Sequence, residues 1–150
     1  MPNLGRYHGW LILAYPGFVD SYSKFSNDAK KILKSGKSGA KAHPRVKIMA
    51  ALEHLVFDVI PSDPSSSRYL LGNTLGPRYR IWRRAKFGGQ YRLFFRFDSK
   101  AKIIIYCWVN DQDTLRAYGS KTDAYSVFLK KLEAGSPPTT WTDLLGQSDL

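Results

Sequence analysis

Between residues 78 and 109 three apolar-rich runs follow one another with almost no chain between them. Residues 78–87 meet Gly88-Gly89, residues 90–98 meet Ser99-Lys100, and residues 102–109 close the set. Parallel strands need a crossover of about a dozen residues, so connections this short dictate antiparallel pairing. Gly-Gly supplies the left-handed backbone that a tight hairpin turn requires. An antiparallel three-strand meander is therefore the first element that the chain specifies.

The remaining elements arrange themselves around it. Trp10, Ile12 and Ala14 alternate with Leu11, Leu13 and Tyr15, which reads as a strand halted by Pro16. Phe18, Tyr22, Phe25, Ala29 and Ile32 recur at helical spacing and predict a helix over about 17–34. Ser35 to Gly39 forms a basic turn, and Pro44 opens a second helix. Val46, Met49, Leu52, Leu55, Val56, Val59 and Ile60 form its buried stripe, and Pro61 is expected to end it. Residues 62–67 and 110–121 read as polar loops. Thr122 or Asp123 can cap a last helix that buries Ala124, Val127, Phe128 and Leu132 and stops at Gly135. The order is strand, two helices, three strands and helix, an α+β arrangement. All 150 residues read as one domain, with an arm at 1–8 and a tail at 136–150 that packs through Trp141 and Leu144 or frays.

Composition excludes several classes. The single cysteine, Cys107, rules out a disulfide framework and a Cys-based zinc site. His8, His43 and His54 are scattered and read as packing, capping or exposed residues. Asn110, Asp111, Asp113 and Asp123 lack the glycine and distal glutamate of a calcium loop, so turn formation and capping account for them. No metal and no cofactor is expected. No apolar run reaches the ~20 residues of a membrane span, and the N-terminus lacks a signal-peptide layout. A cytoplasmic protein without a membrane partner is expected.

Charge points to a polyanion. The formal net charge is +11, and no acidic residue occurs from Pro64 to Phe97. That window holds Arg68, Arg78, Arg80, Arg83, Arg84, Lys86, Arg92 and Arg96, interleaved with Tyr79, Trp82, Phe87, Tyr91, Phe94, Phe95 and Phe97. Arginine forks suit phosphates, and aromatic rings stack on the bases of unpaired RNA. Strand alternation puts Arg80, Trp82, Arg84 and Lys86 on one face, and Arg92 with Arg96 on the face opposite the core residues Tyr91, Leu93, Phe95 and Phe97. If the two open faces coincide, the sheet presents one basic surface. Crowded like charges are unfavourable unless an anion lies among them, so a phosphate-binding face is inferred.

Cleavage of RNA by its own 2′-hydroxyl needs a base, charge stabilisation and an acid. Arginine stays protonated and can only stabilise charge. A lysine or tyrosine among cations exchanges protons more readily. Lys86 is the better base, and Tyr118, two residues beyond Arg116, can orient base or phosphate.

Tyr91-Arg92-Leu93-Phe94-Phe95-Arg96, Trp108-Val109-Asn110-Asp111, Thr114-Leu115-Arg116-Ala117-Tyr118-Gly119 and Lys121-Thr122-Asp123-Ala124-Tyr125 are segments that resemble the YhaV toxin family. Gly135, Pro137-Pro138 and Trp141 continue the likeness, which is dense from Trp82 to Trp141. The resemblance implies membership of the RelE/ParE superfamily of bacterial type II toxins, with two helices packed on an antiparallel sheet. It implies metal-independent cleavage of mRNA, free or on the ribosome, and arrest of translation. It implies a PrlF-type antitoxin with an AbrB-like DNA-binding part, and operator DNA bound only through the toxin–antitoxin complex. Carried onto this chain, the catalytic set is Arg84, Lys86, Arg92, Arg116 and Tyr118; Arg80, Trp82, Arg83 and Arg96 of the same basic stretch are expected as RNA contacts. Two other readings of the basic surface stand beside this one: a non-catalytic nucleic-acid-binding or repressor module, and a ParE-like gyrase inhibitor.

Overall fold

The computed structural model describes residues 3–115 and 123–148. Its strands are β1 (Asn3–Tyr7), β2 (Trp10–Ala14), β3 (Arg83–Phe87), β4 (Tyr91–Asp98) and β5 (Ile103–Val109). They form one five-stranded sheet in the order β1-β2-β5-β4-β3. The meander β3-β4-β5 is antiparallel as expected, while β2 runs parallel to β5 and makes the sheet mixed. The helices among the described residues are α1 (Pro16–Lys34), α2 (Pro44–His54), α3 (Ala124–Glu133) and α4 (Trp141–Ser148).

Two expectations about these elements need correction, and a third gains detail. The N-terminal arm is a strand: Tyr7 pairs with Trp10, and His8 and Gly9 turn with φ of 51° and 81°. Positive φ at both central residues is the hairpin geometry that Asn-Gly usually announces, and His in the first position hides it. The first meander strand is shorter than expected. Pro77–Tyr79 forms a 3-10 turn, and Trp82 N–H donates to the Tyr79 carbonyl at 3.2 Å, so regular pairing starts only at Arg83. The tail packs through Trp141 and Leu144 as expected, and does so as the helix α4, which buries Leu144 and Ser148 after Thr140 Oγ1 accepts from Asp143 N–H.

The sheet is covered on both faces. On one, α1 and α2 bring Phe18, Phe25, Ala29, Met49 and Leu52 against Ile12, Leu93, Phe95 and Ile104. On the other, α3 and α4 bring Phe128, Leu132 and Leu144 against Leu13, Phe94, Ile105 and Cys107, joined by Leu71, Leu75, Tyr79 and Trp82. The resemblance led us to expect only the first cover. A bulge lets β5 serve both: Phe94 pairs with Trp108 and Phe95 with Tyr106, so Cys107 is the additional residue. Cys107 and Trp108 therefore both enter the second core, and Val109 returns to the first.

Pro61 does not end the second helix. After His54 the backbone widens into a π-helical turn, Leu55–Val59, in which Ile60 N–H donates to the Leu55 carbonyl, and a last turn runs over Ile60–Ser62. In this spacing the next carbonyl, Val56, would take its hydrogen from residue 61, and proline has none. The buried Tyr106 hydroxyl supplies it instead, 2.7 Å from Val56 O. Burial pushes the Tyr106 phenol well above its ordinary pKa, so it remains a donor.

Replacing Tyr106 with Phe leaves the Val56 carbonyl buried and unpaired, which costs about 1–3 kcal/mol. Urea unfolding is expected to show that loss, and an unchanged midpoint would deny the hydroxyl this role. Burial likewise raises the Cys107 thiol well above its usual pKa. An aromatic disulfide reagent is therefore expected to react with Cys107 only at the rate of unfolding. Immediate reaction in native buffer would contradict its burial.

Candidate functional site

The meander register places Lys86 directly opposite Arg92 and Arg84 opposite Phe94. Opposed residues in an antiparallel pair lie on one face with Cα atoms about 4.5–5.5 Å apart. The hairpin between them is held tightly. Gly88 and Gly89 have φ of 53° and 76°, and a Cβ on Gly88 would run into Ile48 Cδ1. Lys86 and Arg92 are thus fixed as neighbours by a turn that only glycine tolerates.

Their side chains then part. Arg92 is 7% exposed and is held under the start of α3. Its Nε donates to Tyr125 Oη at 3.1 Å, and Nη1 donates to the Gly89 and Tyr91 carbonyls at 2.8 Å each. The buried Asn110 completes this corner. Its Oδ1 accepts from Arg92 N–H at 2.7 Å, and its Nδ2 donates to the Gln90 and Thr114 carbonyls. One amide therefore ties β4, the hairpin loop and the segment following β5 together.

Arg84 and Lys86 instead face a groove of about 380 Å³ at the edge of the sheet. The wide turn after α2 contributes Leu55 and Val59 to it, and the 3-10 turn Ser67–Tyr69 contributes Arg68 and Tyr69. Arg84 Nη2 donates to the Leu70 carbonyl at 3.3 Å. The Arg68 guanidinium lies 4.9 Å from the centroid of the Tyr69 ring. Burial raises the Tyr69 phenol above its usual pKa and Arg68 offsets part of that rise, so Tyr69 is a neutral wall of the groove rather than a base. Arg68, Arg84 and Lys86 meet there with no carboxylate among the lining residues. Arg68 and Tyr69 were missed as site residues. Their signal is an isolated bridge, Leu70 to Arg83, which lays this segment along β3 and which no sequence periodicity betrays.

The single basic face expected from alternation is divided. Arg80 lies outside the strand and donates to Asn73 Oδ1. Trp82 is 0% exposed and packs edge-on to Phe128, so its ring has no free face for a base, because the second cover occupies the side that alternation alone leaves open. Arg83 and Arg96 meet at the other end of β3, where Arg96 is half-buried between the Trp82 and Trp141 rings. Arg116 and Tyr118 lie outside the described residues. Two histidines, far apart in sequence, share Asp58: His8 Nε2 lies 2.7 Å from Oδ1 and His54 Nδ1 3.5 Å from Oδ2. Among the described residues no group of three or more such side chains is placed to hold a metal ion. His43 is a cap, its Nδ1 accepting from Arg45 N–H, and Asp111 and Asp123 cap their helical turns as expected.

A family model described as a toxin with endonuclease activity, of a toxin–antitoxin system, matches residues 12–149. The chain belongs to the YhaV toxin family. It is 37% identical over 146 residues to the ribonuclease toxin YhaV of Escherichia coli K12, covering 96% of this chain and 95% of that one. The YhaV toxins of Escherichia coli O157:H7 and O6:H1 show the same identity over the same length. No solved structure matches the chain. Among the described residues, no helix is long and apolar enough to cross a membrane.

The two neighbours in the ladder are expected to respond differently to truncation. Arg92→Ala removes three hydrogen bonds from a buried corner and is expected to cost about 2–4 kcal/mol. Lys86→Ala removes an exposed side chain and is expected to change stability by less than about 0.5 kcal/mol. Urea titrations followed by tryptophan fluorescence separate the two. Equal stabilities would show that the Arg92 bonds hold nothing together.

Proposed function

We propose that this chain is the endoribonuclease toxin of a type II toxin–antitoxin pair, cutting mRNA in the cytoplasm without a metal and halting translation. The observation that carries the reading is the single-signed groove at the β3 edge, where Arg84 and Lys86 converge beside Arg68 and where Lys86 stands across from Arg92. Such a cluster is poorly stable alone and favours an anionic occupant. A phosphodiester brought there would have its charge neutralised by Arg84 and Arg68. Lys86 would take the 2′-hydroxyl proton or stabilise the group that does. The oxygen so freed attacks the adjacent phosphorus, and the 5′-oxygen leaves with a proton from an acid. A 2′,3′-cyclic phosphate remains on the upstream fragment.

Arg92 acts in this scheme by shaping the corner on which Lys86 sits, with its charge buried nearby. Arg116 and Tyr118 complete the set as a further phosphate contact and an orienting group. Endonuclease activity in the family favours cleavage over a module that acts by occupancy alone. The antitoxin is proposed to be of the PrlF type with an AbrB-like DNA-binding part, and operator DNA to be bound through the complex. The ribosome is proposed as one setting in which mRNA is presented.

Primer extension on RNA treated with the purified chain, with and without ribosomes and EDTA, locates the cuts, and mass spectrometry of the upstream fragments reads their 3′ ends. Cleavage that leaves 2′,3′-cyclic ends and persists in EDTA is expected. Arg84→Ala and Lys86→Ala are each expected to slow it ~10²–10³-fold. Folded double-variant protein that still cuts at the wild-type rate would remove the proposed site, and ends bearing 3′-hydroxyls would remove the 2′-hydroxyl chemistry.

A further inference from the structure

A second basic groove, of about 370 Å³, lies at the other end of β3 and has no part in the cleavage site described above. Its walls include Ile81, Arg83, Arg96, Asp98, Ser99 and Trp141. Two guanidiniums meet in it. Arg96 is 5.6 Å from the ring centroids of both Trp82 and Trp141, and its Nη1 donates to the Thr139 carbonyl. Arg83 is 5.6 Å from the Phe97 centroid, and its Nη1 donates to the carbonyls of Arg80, Ile81 and Trp82 at 3.0, 3.2 and 3.3 Å.

Among the described residues neither cation has an ionic partner. Among the described residues no carboxylate lies within 4.0 Å of either guanidinium, although Asp98 is in the same groove, where its Oδ1 accepts from Lys100 N–H. Arg83 Nε is buried without an acceptor. Burial lowers the pKa of both groups, and Arg83 adds to the effect at Arg96. Two partly desolvated like charges with donors to spare are costly unless an anion is shared between them. The rings and carbonyls fix the forks in place, so an arriving anion orders little.

We infer that this groove is a second phosphate subsite, in which Arg83 and Arg96 together grip a phosphodiester of the RNA away from the bond being cut, with Ile81 and Trp141 against its sugar or base. Two forks reaching one groove serve both non-bridging oxygens of a phosphodiester, whereas a peptide carboxylate is already matched by one. Ile81 is 45% exposed and supplies apolar contact at the rim. Arg83 and Arg84 are consecutive on a strand and point to opposite sides of it. A single RNA strand crossing this edge therefore meets Arg84 on one side and Arg83 on the other. The subsite rests on the nuclease reading for the identity of its ligand, not for the presence of its anion.

The test is fluorescence anisotropy with a labelled, uncleavable 2′-O-methyl RNA over a salt series, using wild type, Arg96→Gln and Ser99→Glu. Ser99 is an exposed residue in the wall of the groove, and a carboxylate there can take the place of the phosphate. Each variant is expected to weaken binding about tenfold at low salt and to flatten the dependence of log Kd on log salt by about 0.7, the value of one lost phosphate contact on a single strand. Ser99→Gln is expected to bind as wild type does, which separates charge from bulk. Folded Arg96→Gln and Ser99→Glu with wild-type affinity and slope would overturn the subsite. So would a Ser99→Glu protein that keeps its RNA affinity but loses its grip on a polyglutamate peptide, because the groove would then belong to an acidic protein segment. Wild-type cleavage of ordinary RNA is followed alongside. Cleavage with no change in slope defeats the subsite alone, and altered slopes with no cleavage defeat the nuclease reading alone.

Discussion

The strand Ile103–Val109 has no polar side, and a strand of that kind has to be covered on both faces. It occupies the middle of the sheet, so both covers extend over its neighbours. The first is made by α1 and α2. The second, α3 and α4 with the segment that holds Leu71 to Trp82, falls on the face where alternation puts Arg92 and Arg96. Their burial follows from the composition of β5 and not from anything about arginine. What remains accessible to a large anion is the margin of the sheet, and both basic grooves are found along β3.

A cation drawn under such a cover needs compensation, and the two arginines find it in different currencies. Arg92 is given two carbonyls and a phenol in a corner closed by Asn110. Arg96 is given two indole faces and a carbonyl, which satisfy less of its fork. The first arrangement gives Nε and Nη1 fixed partners in a corner closed to solvent. The second leaves donors over, beside another cation in the same condition. That difference, rather than position on a strand, separates an arginine that builds the protein from one that is available to a ligand.

Much of this fold was legible from residue order. The meander follows from turns too short to cross over, α1 from an uninterrupted helical period, and the caps at His43, Asp111 and Asp123 from residue types that accept backbone hydrogens. Of the site, the adjacency of Lys86 and Arg92 was accessible because hairpin register needs only a turn and a parity rule. The parts that escaped all depend on contacts between distant segments. No local pattern reveals that residues 67–70 lie along β3, that His8 and His54 share Asp58, or that a second cover hides Trp82. The hairpin at His8-Gly9 escaped for a smaller reason, because its first residue is unusual in that conformation.

The widened turn Leu55–Val59 also bears on the groove that it walls. A loop of backbone closed from residue i to i+5 stores one residue more than an ordinary α-turn. Length and rotational phase are thereby uncoupled at this point. The segment can lengthen or contract by one position while Ile60 and the helix before Leu55 keep the same sides toward the core. A family could remodel the rim of this basic groove through such an insertion alone, with the sheet beneath left as it was.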